Sequence, residues 1–171
     1  PFVIALGIAE ATMVRVAHGA GRNRLDTARQ SGILGMFIGV LILVMMMIIP
    51  LGFAAYIIDI FITPSDPGFT VVSLLSIEFL TIAAIFQVFD GLQAIAARAL
   101  RGVKDSVVPL WIAGFGYWIL GIGGGSWLAF WMDFGGVGLW WGLAMGLTAT
   151  GLLLGYRFHQ LSRKLISGTA T

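Results

Sequence analysis

The sequence predicts an all-α integral membrane protein, a polytopic bundle of five transmembrane helices. Hydrophobic residues make up 58% of its 171 residues and charged residues only 11%, whereas soluble domains carry about 25% charged residues. Its apolar stretches repeatedly reach about 20 residues, the length that crosses roughly 30 Å of hydrocarbon. The segments between them are short and rich in helix-breaking residues. A water-soluble fold could not bury this much apolar surface, so we expect several membrane crossings.

The apolar segments define the predicted spans. They cover approximately residues 1–18, 32–58, 71–97, 107–131 and 136–156, and residues 157–171 are predicted to form a tail. The connectors read GAGRNRLDTARQS, TPSDPGF, RGVKDS and MDFGG, each typical of a turn between antiparallel helices. The chain begins with Pro1 and shows no signal peptide. We therefore interpret residues 1–171 as part of a longer protein.

The positions of the charged residues predict the topology. If the spans alternate, every Lys and Arg falls on one side: Arg15, Arg22, Arg24, Arg29, Arg98, Arg101, Lys104, Arg157, Arg163 and Lys164. The other side carries Asp59, Asp66 and Asp133. By the positive-inside rule the basic side, including the C-terminus, is predicted to be cytoplasmic. The net charge of +2 is too small and scattered for nucleic-acid binding, which leaves membrane lipid as the expected surroundings.

Catalysis is not expected from this sequence. Cysteine is absent, which excludes a thiol nucleophile and a Cys-based zinc site. The sequence contains no GxSxG elbow, and His18 and His159 both fall at predicted span ends. We predict a protein that is not an enzyme and has no cofactor.

Glycine spacing suggests how the helices pack. Gly138, Gly142 and Gly146 repeat every four residues, and Gly151 and Gly155 continue the spacing. Small residues at this spacing let membrane helices approach closely, although membrane helices also contain ordinary glycine. The run at 121–125 (GIGGG) lies inside the fourth predicted span. We expect a broken or bent helix there, lining a cavity.

Ionisable residues inside the spans are the candidates for function, because a bilayer makes them costly. They are Glu10, Arg15, Glu78 and Asp90. Asp90 lies between Gln87 and Gln93 and one turn after Phe86. At 100° per residue, the two glutamines and the aspartate fall on neighbouring strips of one helix side. A polar strip on an apolar helix is predicted to face a cavity.

Glu10 and Asp90 are predicted to lie at a common depth. Each precedes a basic residue by eight positions, His18 for Glu10 and Arg98 for Asp90. Both carboxylates would then lie roughly 12 Å from the cytoplasmic boundary and could share a chamber that binds a proton or a cation. The alternatives are a structural, hydrogen-bonded Asp90 and a Glu10 paired with Arg15. Glu78 is expected to be a vestibule or interface residue.

Three stretches of the chain resemble a known transporter family. They are GIAEATMVRVAHGAGRNRLDTARQSG, FQVFDGLQAIAARALRGVKDSVVPLWI and GVGLWWGLAMGL. In order, spacing and topology they are similar to the C-terminal lobe of multidrug and toxic compound extrusion (MATE) transporters of the NorM-like branch.

This resemblance implies a twelve-helix protein of two six-helix lobes in the bacterial inner membrane. Such transporters export organic, often cationic, compounds in exchange for H+ or Na+. The present spans would be helices eight to twelve, and the partner would be a missing N-terminal lobe. The family's cation-site acid falls on Asp90, which would hold Na+ if the protein is sodium-coupled. Some members carry a tyrosine where this chain has Phe86, which leaves proton and sodium coupling equally open.

Two other functions are compatible with the sequence. A lipid-linked oligosaccharide flippase of related fold would need basic groups in its cavity, and Arg15 is the basic residue placed within a span. A membrane scaffold subunit without transport activity would gain little from the cost of an intramembrane Asp90.

Overall fold

The computed structural model describes residues 1–61 and 68–168, and within them the chain is a bundle of helices. The helices are α1 (Phe2–Gly21), α2 (Leu25–Gly52), α3 (Ala54–Asp59), α4 (Phe69–Gly102), α5 (Val107–Gly114), α6 (Gly124–Phe130) and α7 (Gly135–Gly168). A π-helical segment, Phe115–Gly123, joins α5 to α6. In the described part of the chain, five spans are long and apolar enough to cross a membrane. The predicted all-α membrane fold is thereby confirmed.

Several helices continue past the ends of the predicted spans. Helix α2 already begins at Leu25, inside a segment predicted to be a connector, and α7 continues through much of the predicted tail to Gly168. The turn between α1 and α2 is correspondingly short. Hydropathy marks where the hydrocarbon ends, whereas a helix with polar side chains continues into water without losing its backbone hydrogen bonds.

Helix α4 lies at the centre of the bundle and packs against α1, α2 and α7. The larger core cluster lies towards the basic end and contains Val16, Ala28, Ala96, Ala99, Leu100, Leu154 and Phe158. A second cluster joins Ala5, Leu43 and Val88 nearer the opposite end. Most large apolar side chains outside these clusters are exposed, as expected for surfaces that contact lipid.

The second predicted span is divided into two helices. Pro50 lies inside the last turn of α2 and cannot donate a backbone hydrogen bond. The helix ends at Gly52, and α3 restarts at Ala54 after Phe53, whose φ of −122° is not helical. The predicted connector TPSDPGF follows α3, and most of it, including Asp66, lies outside the described residues.

All ten Lys and Arg residues fall at one end of the bundle, which we call the basic end. Contacts join the helices and turns that meet at this end. Arg157 of α7 donates to Asp105 in the turn after α4 at 2.6 Å. The position of a Cβ added to Gly32, near the start of α2, would overlap the Phe158 ring of α7. The α1–α2 turn, the α4–α5 turn and the end of α7 therefore lie on the same side.

The glycine spacing of α7 forms a specific contact face. A Cβ added at Gly142 would lie 2.1 Å from Gly125 Cα, and one at Gly138 would lie 2.8 Å from Ala129 N. A Cβ at Gly151 would lie 2.9 Å from the Phe89 carbonyl oxygen of α4. Gly155 is different, because a Cβ added there would meet only the Met36 sulfur, at an ordinary 3.9 Å. Close backbone contact thus explains the spacing up to Gly151.

The fourth span is irregular, as its glycines predict, but two of these glycines pack against another helix. Gly121 and Gly125 are buried against α7, with added Cβ atoms approaching Leu143 and Leu139. The expectation of a cavity lining is therefore wrong for these two residues. They permit backbone approach, because any larger residue would separate the fourth span from α7.

Candidate ion and substrate site

The polar strip on α4 faces α7 and the π-helical segment. Phe86 and Gln93 are seven residues apart, two helical turns, and therefore share a helix face. The ring of Phe86 lies 5.8 Å from that of Trp140 on α7, while Gln93 Nε2 donates to the Tyr117 hydroxyl of the π-helical segment. Asp90 lies between them on α4 and is half-buried. This side of α4 therefore packs against other helices, and the cavity that the sequence predicts there stays a prediction.

Tyr117 is a site residue that sequence reasoning missed. It is half-buried, and the Asp90 carboxyl group lies within electrostatic range of its hydroxyl. Its position depends on the π-helical turn, a rare element that is frequent at functional sites. The sign of it in the sequence was a single tyrosine in a span otherwise rich in glycine, tryptophan and aliphatic residues. A pattern within one span cannot show how far this tyrosine lies from α4.

The glutamines on either side of Asp90 have unused hydrogen-bonding atoms. Gln87 Nε2 and Gln93 Oε1 are buried and have no protein partner among the described residues. Buried polar atoms are normally paired, and unpaired ones in a native protein require an explanation. The Asp90 carboxylate, the Tyr117 hydroxyl and Gln93 Oε1 would together provide oxygen ligands for a small cation or a hydronium ion.

Aromatic rings extend the site towards the opposite end of the bundle. Trp140 lies between Phe79 and Phe86, with ring centroids 5.9 and 5.8 Å away. Phe79 and Trp140 also line a cavity of about 420 Å³, together with Ile57, Ile58, Phe61, Ser76, Leu80 and Ala83. Aromatic faces attract organic cations, and their apolar area accommodates varied molecules.

Glu10 is not level with Asp90, so the predicted common depth is wrong. Glu10 Oε1 accepts from Arg98 Nε at 2.5 Å. A Cβ added at Gly91 of α4 would lie 3.4 Å from Ala5 Cβ, and one at Gly102 would lie 2.8 Å from Val16 Cγ1. Asp90 is therefore level with about Ile4 of α1, and Glu10 lies roughly 9 Å nearer the basic end. The error arose because Arg98 was used as a boundary marker, although it is paired within the bundle. The alternative pairing of Glu10 with Arg15 is also wrong, because the partner of Glu10 is Arg98.

We expect Glu10→Gln to cost about 1 kcal/mol of stability or less. The Glu10 side chain is 52% exposed, and ion pairs of such exposure contribute little. Thermal unfolding of the variant checks this, and Arg98→Gln should give a similar small loss. A loss of several kcal/mol in Glu10→Gln would show that the ion pair is a main contact between α1 and α4.

The other candidates lie away from Asp90. Glu78 is exposed and lines a separate cavity of about 300 Å³ with residues of α6, α7 and the turn between them, including Phe134 and Trp141. This position fits the expected vestibule or interface role. Arg15 and His18 are exposed near the basic end and line a cavity there.

The fold and this site define a class, namely polytopic membrane proteins that hold a polar site between packed helices, as secondary transporters do. The MatE family model matches residues 1–127. The chain belongs to this family, the multidrug and toxic compound extrusion (MATE) family.

Curated relatives agree over nearly the whole chain. It is 41% identical over 162 residues to the probable multidrug resistance protein NorM of Deinococcus radiodurans, covering 95% of this chain and 36% of that protein. It is 36% identical over 166 residues to the multidrug resistance protein NorM of Burkholderia vietnamiensis, covering 97% of this chain and 36% of the relative. The chain therefore spans little more than a third of the relatives' length.

Solved structures have the same fold. An inward-facing multidrug resistance MATE transporter of the MOP superfamily superposes with a TM-score of 0.85 at 16% identity, covering 96% of this chain and 37% of that structure. The eukaryotic MATE transporter AtDTX14 superposes with a TM-score of 0.75 at 23% identity, covering 95% and 36%. At these identities the likeness concerns the fold.

Proposed function

We propose that this chain forms most of the C-terminal lobe of an exporter that expels organic, often cationic, compounds in exchange for H+ or Na+. The observation that carries the proposal is Asp90, an ionisable residue held half-buried in a membrane span and flanked by polar groups with unused hydrogen-bonding atoms. Such a residue is expensive in a bilayer and is retained where ions or substrates pass. The NorM relatives, named as multidrug resistance proteins, support the same function.

In this proposal Asp90 binds the coupling ion. The Tyr117 hydroxyl and Gln93 Oε1 are its candidate partners, and the hydrogen bond from Gln93 Nε2 holds the phenol in place. The tyrosine that some family members carry on the same helix is replaced by Phe86. Tyr117, reaching in from another helix, would supply the oxygen that Phe86 lacks.

The organic substrate would occupy the aromatic side of the same region. Phe86 and Trp140 present ring faces beside the Asp90 strip, and the cavity beyond Phe79 is apolar. A cationic compound and the coupling ion would then compete for one carboxylate. Exchange follows only if the ion and the compound favour different conformations of the two lobes, because a ligand shifts an equilibrium by its differential affinity.

The remaining part of the exporter would be helix seven and an N-terminal lobe, encoded upstream. The matched segment is 36% of the length of two NorM relatives, which supports that arrangement. The basic end would face the cytoplasm of a bacterial inner membrane, since all ten Lys and Arg lie there. The C-terminus would also be cytoplasmic.

Dye efflux under separate ion gradients tests the proposed function. The full-length exporter carrying this chain would be reconstituted into vesicles and given either a proton gradient or a sodium gradient. We expect ethidium movement with one of the two gradients and its loss when that gradient is dissipated. Ethidium movement with neither gradient would contradict the proposal.

Tyr117→Phe should weaken coupling without unfolding the protein. The substitution removes the hydroxyl that accepts from Gln93 and lies near Asp90, and we expect a loss of about five- to tenfold in ion-driven efflux. Tyr156→Phe is the matched control, because the Tyr156 hydroxyl accepts from Gln160 Nε2 on an exposed face of α7. Equal effects of the two substitutions would remove Tyr117 from the ion site.

A further inference from the structure

The basic end contains a polar cavity between α1 and α2, which Asp90 does not line. Its volume is about 240 Å³, and its lining consists of Arg15, His18, Gly19, Arg22, Arg24, Thr27 and Ser31. Three arginines and two hydroxyl groups thus converge on one small space. Among the described residues that line it, none is acidic. Guanidinium and hydroxyl donors arranged in this way suit a phosphate group.

The turn between α1 and α2 fixes the backbone at Arg22 and Arg24. Three backbone hydrogen bonds close it, from Arg22 N to His18 O at 3.2 Å, Asn23 N to Ala20 O at 3.1 Å and Arg24 N to Gly19 O at 2.9 Å. Asn23 takes a left-handed φ of 56°, which asparagine tolerates better than most residues. A Cβ added at Gly19 would lie 2.8 Å from Ala28 N, so the two helices meet closely beside the cavity.

An apolar groove continues from this cavity along the same two helices. It has a volume of about 270 Å³ and is lined by Ile8, Ala11, Thr12, Arg15, Ser31, Leu34, Gly35 and Ile38. Arg15 and Ser31 line both spaces, which makes the two continuous. From Arg15 to Ile8 the groove follows α1 for about 10 Å into the span. Leu34 and Ile38 are 55% and 40% exposed, so its rim is apolar and open.

From this pairing we infer that α1 and α2 form a binding site for one anionic phospholipid. The phosphate would lie among Arg15, Arg22 and Arg24, and an acyl chain would follow the groove towards Ile8. Charge complementarity selects an anionic headgroup over a zwitterionic one, and the continuous apolar groove selects a lipid over free phosphate. Neither Asp90 nor its partners lines either space, so this site is separate from the proposed ion site.

Lipid titration of the full-length protein tests this inference. The delipidated protein would be titrated with phosphatidylglycerol in detergent and the bound lipid counted by native mass spectrometry. The triple variant Arg15→Gln/Arg22→Gln/Arg24→Gln should lose affinity on the order of 100-fold, since each arginine near an anionic group is worth about fivefold in binding. The matched control, Arg101→Gln/Arg163→Gln/Lys164→Gln, removes the same charge from exposed residues of the basic end and should retain binding.

A second variant tests the groove without altering charge. Ala11→Phe places a ring in the groove and should lower phosphatidylglycerol affinity, whereas Ala17→Phe, at an exposed position outside the groove lining, should not. The inference is overturned if the wild-type protein binds no phosphatidylglycerol, as it would if an upstream segment covered the groove. Equal binding of phosphatidylcholine, full competition by inorganic phosphate, or unchanged binding in both the triple and the Ala11→Phe variants would also overturn it.

Discussion

Asp90→Asn is expected to lower ion-driven export by on the order of 100-fold, near the upper end of known coupling energies. Asparagine keeps the size of aspartate and one of its acceptor oxygens, but it replaces the other oxygen with an NH2 donor and cannot carry a negative charge or release a proton. The variant should therefore fold and still bind apolar parts of the substrate, yet lose competition between ion and compound. Ethidium efflux from vesicles containing the full-length protein, driven by the effective gradient, measures the loss.

Asp133→Asn is the matched control for this substitution. Asp133 is exposed in the turn before α7 and has a left-handed φ of 59°, which asparagine also adopts readily. The chemical change is the same, but it falls outside the helices that form the site. We expect export within about twofold of the wild type. Efflux by Asp90→Asn at the rate of this control would show that residue 90 carries no coupling.

Gly142→Ala is expected to destabilise the protein by about 2–3 kcal/mol, the upper range for overpacking. The new Cβ would lie 2.1 Å from Gly125 Cα and 2.3 Å from Gly125 N, and 2.8 Å from the Gly121 carbonyl oxygen. These are backbone atoms, which cannot turn away as a flexible side chain would. The fourth span must therefore shift away from α7, and the shift would also disturb Tyr117 in the π-helical segment.

Gly155→Ala provides the contrasting result on the same helix. Its Cβ would meet Met36 Sδ at 3.9 Å, an ordinary contact, and alanine is a better helix former than glycine by about 1 kcal/mol. Thermal unfolding in one detergent should therefore show a lower apparent Tm for Gly142→Ala and an equal or higher one for Gly155→Ala. A Gly142→Ala protein as stable as the wild type would contradict the packing described here.

The sequence was sufficient to predict the membrane-spanning helices, because hydropathy depends on local composition. It could not predict where the helices end. The segment 25–31 is polar and reads as a connector, yet it is the first part of α2. Residues 157–168 likewise extend α7. Outside hydrocarbon, helix length is decided by capping and packing, which composition does not record.

From the sequence, the candidate site could be predicted only for residues that lie on the same helix. Periodicity placed Gln87, Asp90 and Gln93 on one side of α4, and the structure adds Tyr117 from a span whose π-helical turn no pattern predicted. Glu10 shows the converse limit. The depth of Glu10 was estimated from His18 and that of Asp90 from Arg98, but contacts between helices set the register, and Arg98 is the partner of Glu10. Relations between helices depend on packing across the bundle.

Competition between ion and compound at Asp90 tests the central claim most directly. Binding of tetraphenylphosphonium to the purified full-length protein would be measured while sodium concentration and pH are varied separately. We expect one of the two ions to displace the compound from the wild type and to have no such effect on Asp90→Asn. Displacement that is unchanged in Asp90→Asn would contradict the claim that this carboxylate is the shared site.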